Sequence, residues 1–370
     1  MTSRWLISVT AFSLLLSGCF PPSSQQHLVA RESDDGTVVA ATQYEWKLVT
    51  SWPKNFPGLG MAPEKFAVLV NEMSQGRLQV TVYGANQLVP GFQVFDAVSS
   101  GSVEMGHSAA YYWKGKVPAA QFFTSIPFGL TAQEMNGYLH HGGGLALWEE
   151  LYAPFDLLPM AGGNTGVQMG GWFNKEINSV DDLKGLKMRL PGIGGEVLQR
   201  LGGVPVSLPG GELFTALQTG AIDATEWVGP SNDLAFGFNE AAEYYYYPGW
   251  HEPGSSLEFL INKAAFDALP NDLQVIVRAA ARVVNHDMLD EYTVRNIIAL
   301  QTLQEKGVKI RRFPDEVLNA LQQVTDQVMA EQAAADADIA RIYTHFQHYT
   351  QGVRAYHAIT EKAYLEVHYP

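Results

Sequence analysis

Basic residues are scarce in this chain: 24 Lys and Arg stand against 38 Asp and Glu, a formal net charge of −14 over 370 residues. That balance excludes a nucleic-acid-binding role, which needs a basic footprint. Cysteine is nearly missing as well. Cys19 is alone, so no disulfide forms within one chain. The common catalytic signatures are absent: G-x-S-x-G, G-x-x-x-x-G-K-[ST], H-E-x-x-H and G-x-G-x-x-G do not occur. HHGGG (140–144) has the look of an esterase oxyanion loop, but no nucleophile elbow accompanies it. Proline is missing from Asp315 to Tyr369, which leaves a long stretch free to be helical.

With 46% hydrophobic and 17% charged residues, the chain is globular, and its length suits two lobes of about 150 residues each. Arg4 and the apolar stretch WLISVTAFSLLL (5–16) read as a signal peptide too short to span a bilayer. LSGC follows and resembles the bacterial lipoprotein signal, in which the cysteine, here Cys19, is lipidated and becomes the first mature residue. A plain signal peptide cut nearby, or a core cysteine, is the alternative. Residues 20–43 are polar and Pro/Ser-rich at their start, and read as a tether.

From Tyr44 onward the pattern is strand, helix, strand, helix, strand, the rhythm of a parallel α/β sheet, and it occurs twice. The second half spells it as LKMRLP, GIGGEVLQRLGG, VPVSLP, GELFTALQTG and AIDATEW, after a helix start of capping-box type at Ser179 and Asp182. VFDAVSSGSVEMGHS (94–108) and LFTALQTGAIDATEW (213–227) align at a constant offset of 119, as in 214−95 and 220−101. Two opposed lobes follow, each with the same helix-to-strand turn. Ligands collect at the carboxyl ends of strands in such sheets. The expected boundaries are a leader over 1–18, a tether over 19–43, one lobe from 44–165 with 255–305, the other from 166–254, and a C-terminal helical segment over 306–370. One straight helix over 315–369 would run about 80 Å. It must therefore kink, near Gly352, or pack on a second copy of the chain, and a homodimer is expected. The YYYY run (244–247) reads as a buried strand.

Over about residues 44–312 the chain resembles the extracytoplasmic solute-binding proteins of TRAP (tripartite ATP-independent periplasmic) transporters. LKGLKMRLPG, GGVPVSLPGGELFTALQTGAIDATEWVGP and GWHEPG carry the likeness. With MGGWFNKEI, they are most similar to the branch that binds small 2-oxo or 2-hydroxy monocarboxylates together with a metal ion. The resemblance implies an α/β, two-lobe periplasmic-binding-protein architecture with a hinge and a long C-terminal helical segment. It implies a receptor, not an enzyme, that delivers a small carboxylate such as pyruvate to TRAP permease subunits. It places the receptor in the periplasm, where Cys19 would be its only tie to the membrane. Arg189 would pair with the substrate carboxylate, and a guanidinium suits that task because it offers two parallel donors. Gln168, Glu226, Glu252 and the Trp227 carbonyl would hold the ion, with sodium ahead of calcium; oxygen ligands suit either. Gln168 and the Trp227 indole would also touch the substrate, with Tyr111 and Tyr112 facing it from the other lobe. Two rival readings remain at this point: a metal-dependent enzyme acting on oxo acids, and a non-transport lipoprotein with a degenerate cleft.

Overall fold

A computed structural model describes residues 25–32 and 38–368. The leader and Cys19 lie outside the described residues. Among the described residues twelve strands form two sheets: β1 (Gln25–Glu32), β2 (Val38–Thr50), β3 (Leu78–Tyr83), β4 (Met105–Ser108), β5 (Leu157–Asn164), β6 (Gly171–Phe173), β7 (Lys187–Arg189), β8 (Val204–Val206), β9 (Ala224–Thr225), β10 (Tyr244–Tyr247), β11 (Ser256–Asn262) and β12 (Lys309–Arg312). The first sheet runs β1-β2-β4-β11-β5, with β3 also against β2, and the second runs β12-β10-β6-β9-β7-β8.

The internal repeat is legible in this topology. β2 pairs in parallel with β3 and β4, just as β7 pairs with β8 and β9. The helices Met61–Met73 and Gly192–Arg200 make the first crossovers, and Val94–Ser99 and Leu213–Gln218 the second. Each second helix stops at a glycine with positive φ, 71° at Gly101 and 73° at Gly220, the left-handed turn that glycine adopts at little steric cost. The acidic residue of each copy also has a matching structural task. Glu104 accepts the Lys47 N–H at 2.8 Å, and Asp223 accepts the Lys187 N–H at 2.9 Å. Both bonds stand just before the parallel pairing begins, at Leu48 with Met105 and at Met188 with Ala224.

Each sheet then takes an antiparallel strand beside the repeat, β11 against β4 and β6 against β9. The chain therefore crosses between lobes at 164–170 and returns at 249–256. These two crossings lie side by side: Thr165 N–H donates to Ser255 O at 3.0 Å and Gln168 N–H to Glu252 O at 3.1 Å.

The structure departs from expectation in three places. Part of the expected tether, 25–32 and 38–43, is in an antiparallel ladder of β1 with β2; β-branched residues such as Val38 and Val39 favour that state. The segment after 306 opens with a strand, β12, parallel to β10, before turning helical. The long C-terminal helix breaks at Asp336, not near Gly352. Asp336 is extended (φ −139°, ψ 127°), and its carboxylate caps the next helix by accepting Ile339 N–H at 2.9 Å. Helix Asp315–Ala335 lies on the second lobe through Arg200–Glu331 and Gln332–Glu196, whereas Ala337–Ile359 lies on the first through Arg341–Glu150 and His357–Glu134. The break thus falls where the segment passes from one lobe to the other. Gly352 sits within the helix Ala337–Ile359. Of the tyrosine run, Tyr245 and Tyr246 are buried and Tyr247 is exposed. Among the described residues no helix is long and apolar enough to cross a membrane.

Candidate functional site

In the second lobe the strand order reverses between β7 and β9, the point at which an α/β sheet opens a crevice. Arg189 ends β7, and Glu226 follows the last residue of β9, with Glu226 N–H donating to Arg189 O at 3.3 Å. A strong charge of each sign therefore stands at the switch point. Both are buried, at 1% and 0% exposure, and Arg189 Nη1 pairs with Glu226 Oε1. Arg189 Nε also donates to Leu208 O (3.2 Å) and Nη2 to the Tyr112 hydroxyl (3.2 Å). Its guanidinium lies 5.2 Å from the centre of the Trp227 ring. The sequence reading gave Arg189 to a substrate carboxylate; here Glu226 fills that role, because a buried guanidinium requires an anion beside it.

Gln168 and Glu252 come from the two crossings and meet beneath this pair. Gln168 Nε2 donates to Glu252 Oε2 at 2.7 Å and to Thr165 Oγ1 at 3.2 Å, and Ser255 Oγ also donates to Glu252. Ligand atoms of Glu226, His251 and Glu252 all lie within 4.8 Å of one another. His251 was not singled out from the sequence, although it sits inside the GWHEPG motif beside Glu252. Its Nε2 lies 3.6 Å from Glu226 Oε2, and it is 3% exposed.

From the first lobe, the turn after β4 presents Tyr111 and Tyr112. Tyr112 reaches Arg189 across the cleft, and Tyr111 packs its ring near Gly192. Lys114 Nζ makes another cross-lobe bond, to Gly192 O at 3.1 Å. A cavity of about 410 Å³ opens here, with Phe92, Tyr111 and Tyr112 on one side and Leu190, Pro191 and Val206 on the other. The Trp227 ring rests against Gly210, where a Cβ would come within 2.4 Å of the indole. Only glycine lets the indole lie there.

Several buried polar atoms of this site have no hydrogen-bond partner in the protein, and they sort by chemistry. Glu226 Oε2 and Gln168 Oε1 are acceptors without a donor; Trp227 Nε1 is a donor without an acceptor; both ring nitrogens of His251 are unpaired. Orphan acceptors invite a cation and orphan donors an anion, since a buried polar group left unmatched costs about 1–3 kcal/mol. The oxygen-rich donor set fits a hard cation such as sodium or calcium. Burial, and then the neighbouring Glu226 charge, push the Glu252 carboxyl up to about 7. Burial also raises Tyr111 and Tyr112, so both phenols stay protonated as donors. Burial opposes the charged form of Arg189, but Glu226 and the two tyrosines more than offset it and raise its pKa.

All seven site residues expected from the sequence in the described region converge on this cleft: Tyr111, Tyr112, Gln168, Arg189, Glu226, Trp227 and Glu252. A monocarboxylate 2-oxoacid-binding periplasmic protein of a Nostoc species is 46% identical over 319 residues, covering 86% of this chain and 87% of that protein. A TRAP periplasmic solute-binding protein from Pseudoalteromonas atlantica, solved with bound sodium and pyruvate, is 48% identical with a TM-score of 0.85, covering 88% of this chain and 99% of the other. One from Colwellia psychrerythraea, solved with bound calcium and pyruvate, is 45% identical with the same TM-score and coverage. The model of the bacterial extracellular solute-binding protein family 7 matches residues 48–336. The chain belongs to that family, the solute receptors of TRAP transporters, and is a receptor, not an enzyme.

Proposed function

We propose that this receptor captures a small 2-oxo monocarboxylate, pyruvate being the first choice, together with one sodium or calcium ion. The observation that carries the reading is the buried Arg189–Glu226 pair in a cluster that holds both unmatched acceptors and an unmatched donor. A carboxylate would take Arg189, with the Trp227 indole walling it and Tyr111, Tyr112 and Gln168 beside it. The cation would take Glu226, Glu252, Gln168 Oε1 and the Trp227 carbonyl. Each ion depends on the other. An anion alone would face Glu226, and a cation alone would face Arg189. Entering together, they replace one ion pair by two and keep the buried site close to neutral, which is the condition for burying charge at all. Lobe closure about the two crossings would seal the cleft.

The receptor would stand in the periplasm, tied to a membrane through lipid on Cys19, and hand its cargo to the permease subunits. It would act as a homodimer, a reading supported by the exposed apolar side chains Tyr356, Ile359, Tyr364, Leu365 and Val367 at the end of the chain. Calorimetric titration with pyruvate, after exhaustive metal removal and again with sodium or calcium, tests the site. Tight binding is expected only with the ion. Equal binding in its absence would remove the cation from the site, and no binding of any small 2-oxo acid would remove the carboxylate.

A further inference from the structure

Asp233 has no part in the site as assigned so far, yet it is 1% exposed and its carboxylate is saturated with donors. Oδ2 accepts from Trp172 Nε1 at 3.0 Å and from the Tyr245 hydroxyl at 2.6 Å. Oδ1 accepts from the backbone N–H groups of Val228 and Gly229, each at 3.2 Å. No lysine or arginine pairs with it among the described ion pairs. A buried carboxylate with four donors and no cation is an expensive arrangement for simply joining a helix to a strand.

The placement of these donors gives it a purpose. Trp172 lies on β6 and Tyr245 on β10, in register and with rings stacked at 4.1 Å. They fix Oδ2 to the sheet. Oδ1 then grips the turn that leaves β9, immediately after Glu226 and Trp227. The peptide joining Trp227 to Val228 is trans, so its N–H and C=O point in opposite directions within one plane. Holding the Val228 N–H toward Asp233 therefore aims the Trp227 carbonyl the other way. A carboxylate on the N–H also polarises that peptide and leaves more negative charge on its oxygen, as charge-assisted and chained hydrogen bonds do.

We propose that Asp233 is a positioning residue for the cation: it orients and strengthens the Trp227 carbonyl as an ion ligand without touching the ion. The proposal rests on the reading of the ion site given above. Outer partners of metal ligands typically matter by 10–100-fold in metal affinity. An asparagine cannot reproduce the geometry. With its oxygen on Val228 and Gly229, its NH₂ would face the Trp172 donor.

The test is calorimetric titration of calcium and of sodium, with pyruvate saturating, into the full mature chain at pH 8. Burial gives Asp233 a value of about 7, so it is charged there. Asp233→Asn is expected to weaken the cation by about 10–100-fold, while pyruvate affinity at saturating metal stays within threefold. That split separates positioning from a general structural role, which would weaken both together. A cation affinity within threefold of wild type, or an equal loss of pyruvate affinity at saturating metal, would overturn the proposal. Should Asp233→Asn not fold, Tyr245→Phe decides: it keeps the charge, frees Oδ2 from one tether, and is expected to weaken the cation about threefold or more. An unchanged value overturns the proposal. A wild-type protein that takes up no cation overturns the function reading and this inference with it.

Discussion

Replacing Arg189 by alanine should move the two ligands in opposite directions. The guanidinium is 1% exposed and paired with an equally buried Glu226, so its loss deletes the charge-assisted partner of an incoming carboxylate. Truncating one member of such a pair typically costs about 2–5 kcal/mol, roughly 30-fold to several thousand-fold in affinity. The cation has the opposite experience. A positive charge about 4 Å away at an effective dielectric of 20 repels it by about 4 kcal/mol, and Arg189 also occupies the carboxylate the ion needs. Without Arg189, sodium or calcium alone should bind tenfold tighter or better. The free protein should lose stability too, because an unpaired buried Glu226 costs about 3–5 kcal/mol, and the cation should restore much of it. Arg189→Lys should rescue pyruvate only partly, since an ammonium lacks the planar fork. Calorimetry with pyruvate and each cation, separately and together, reads every part of this. Pyruvate binding within threefold of wild type, or a cation affinity that falls, would refute the exchange of one ion pair for two.

Glu252 makes cation binding depend on pH. Its carboxyl is raised from 4.5 to about 7, so the stability it contributes is present at low pH and is lost as pH rises through 7. A cation must displace its proton below 7. Apparent cation affinity should therefore climb by nearly tenfold per unit between about pH 5.5 and 7 and level off above about 8; a flat profile would take Glu252 out of the ion site. Gly210→Ala places a methyl 2.4 Å from the Trp227 indole. Overpacking of this kind costs about 1–3 kcal/mol, and displacement of the indole should weaken pyruvate by tenfold or more and shift the tryptophan fluorescence. Deleting residues 361–370 removes the exposed apolar end without uncovering Ile339, Ile342 or Phe346, and should turn a dimer into a monomer in sedimentation; an unchanged species would place any dimer contact elsewhere.

Periodicity and the 119-residue echo carried the fold, because strand–helix–strand units announce themselves through local patterns. The strand ends at which Arg189, Glu226 and Trp227 stand could be read from those units, while the roles given to them came from the resemblance. Gln168 and Glu252 were legible only through resemblance: they lie on crossings whose partnership is formed by tertiary contact, Gln168 N–H to Glu252 O, 84 residues apart. Asp233 was invisible, since its four donors come from two strands and a turn that no local spacing connects. The break at Asp336 was misplaced for a different reason. Glycine looked like the weak point of a long helix, but a flexible residue need not break a helix that packs well. Asp336 breaks it by offering its side chain as the cap of the next segment, and the change of lobe requires a break there.

The repeat also shows how the two lobes differ at matching positions. At the offset of 119, Glu226 answers His107 (226−107) and Trp227 answers Ser108. His107 is fully buried, yet it is satisfied: Trp52 Nε1 donates to its Nδ1 at 3.1 Å, and Nε2 meets Gly162 O at 2.9 Å. Burial lowers it to about 4, so it stays neutral and closed to ligands. Ser108 is closed likewise, by Ser51 at 2.6 Å. The same position in the second lobe holds a carboxylate with one oxygen unpaired and an indole N–H with no acceptor. The same kind of turn is thus finished as a structural joint in the first lobe and left with unpaired polar atoms in the second. What sets the second lobe apart is not the presence of charge at the strand end but its incomplete satisfaction, a state that an incoming ligand would complete.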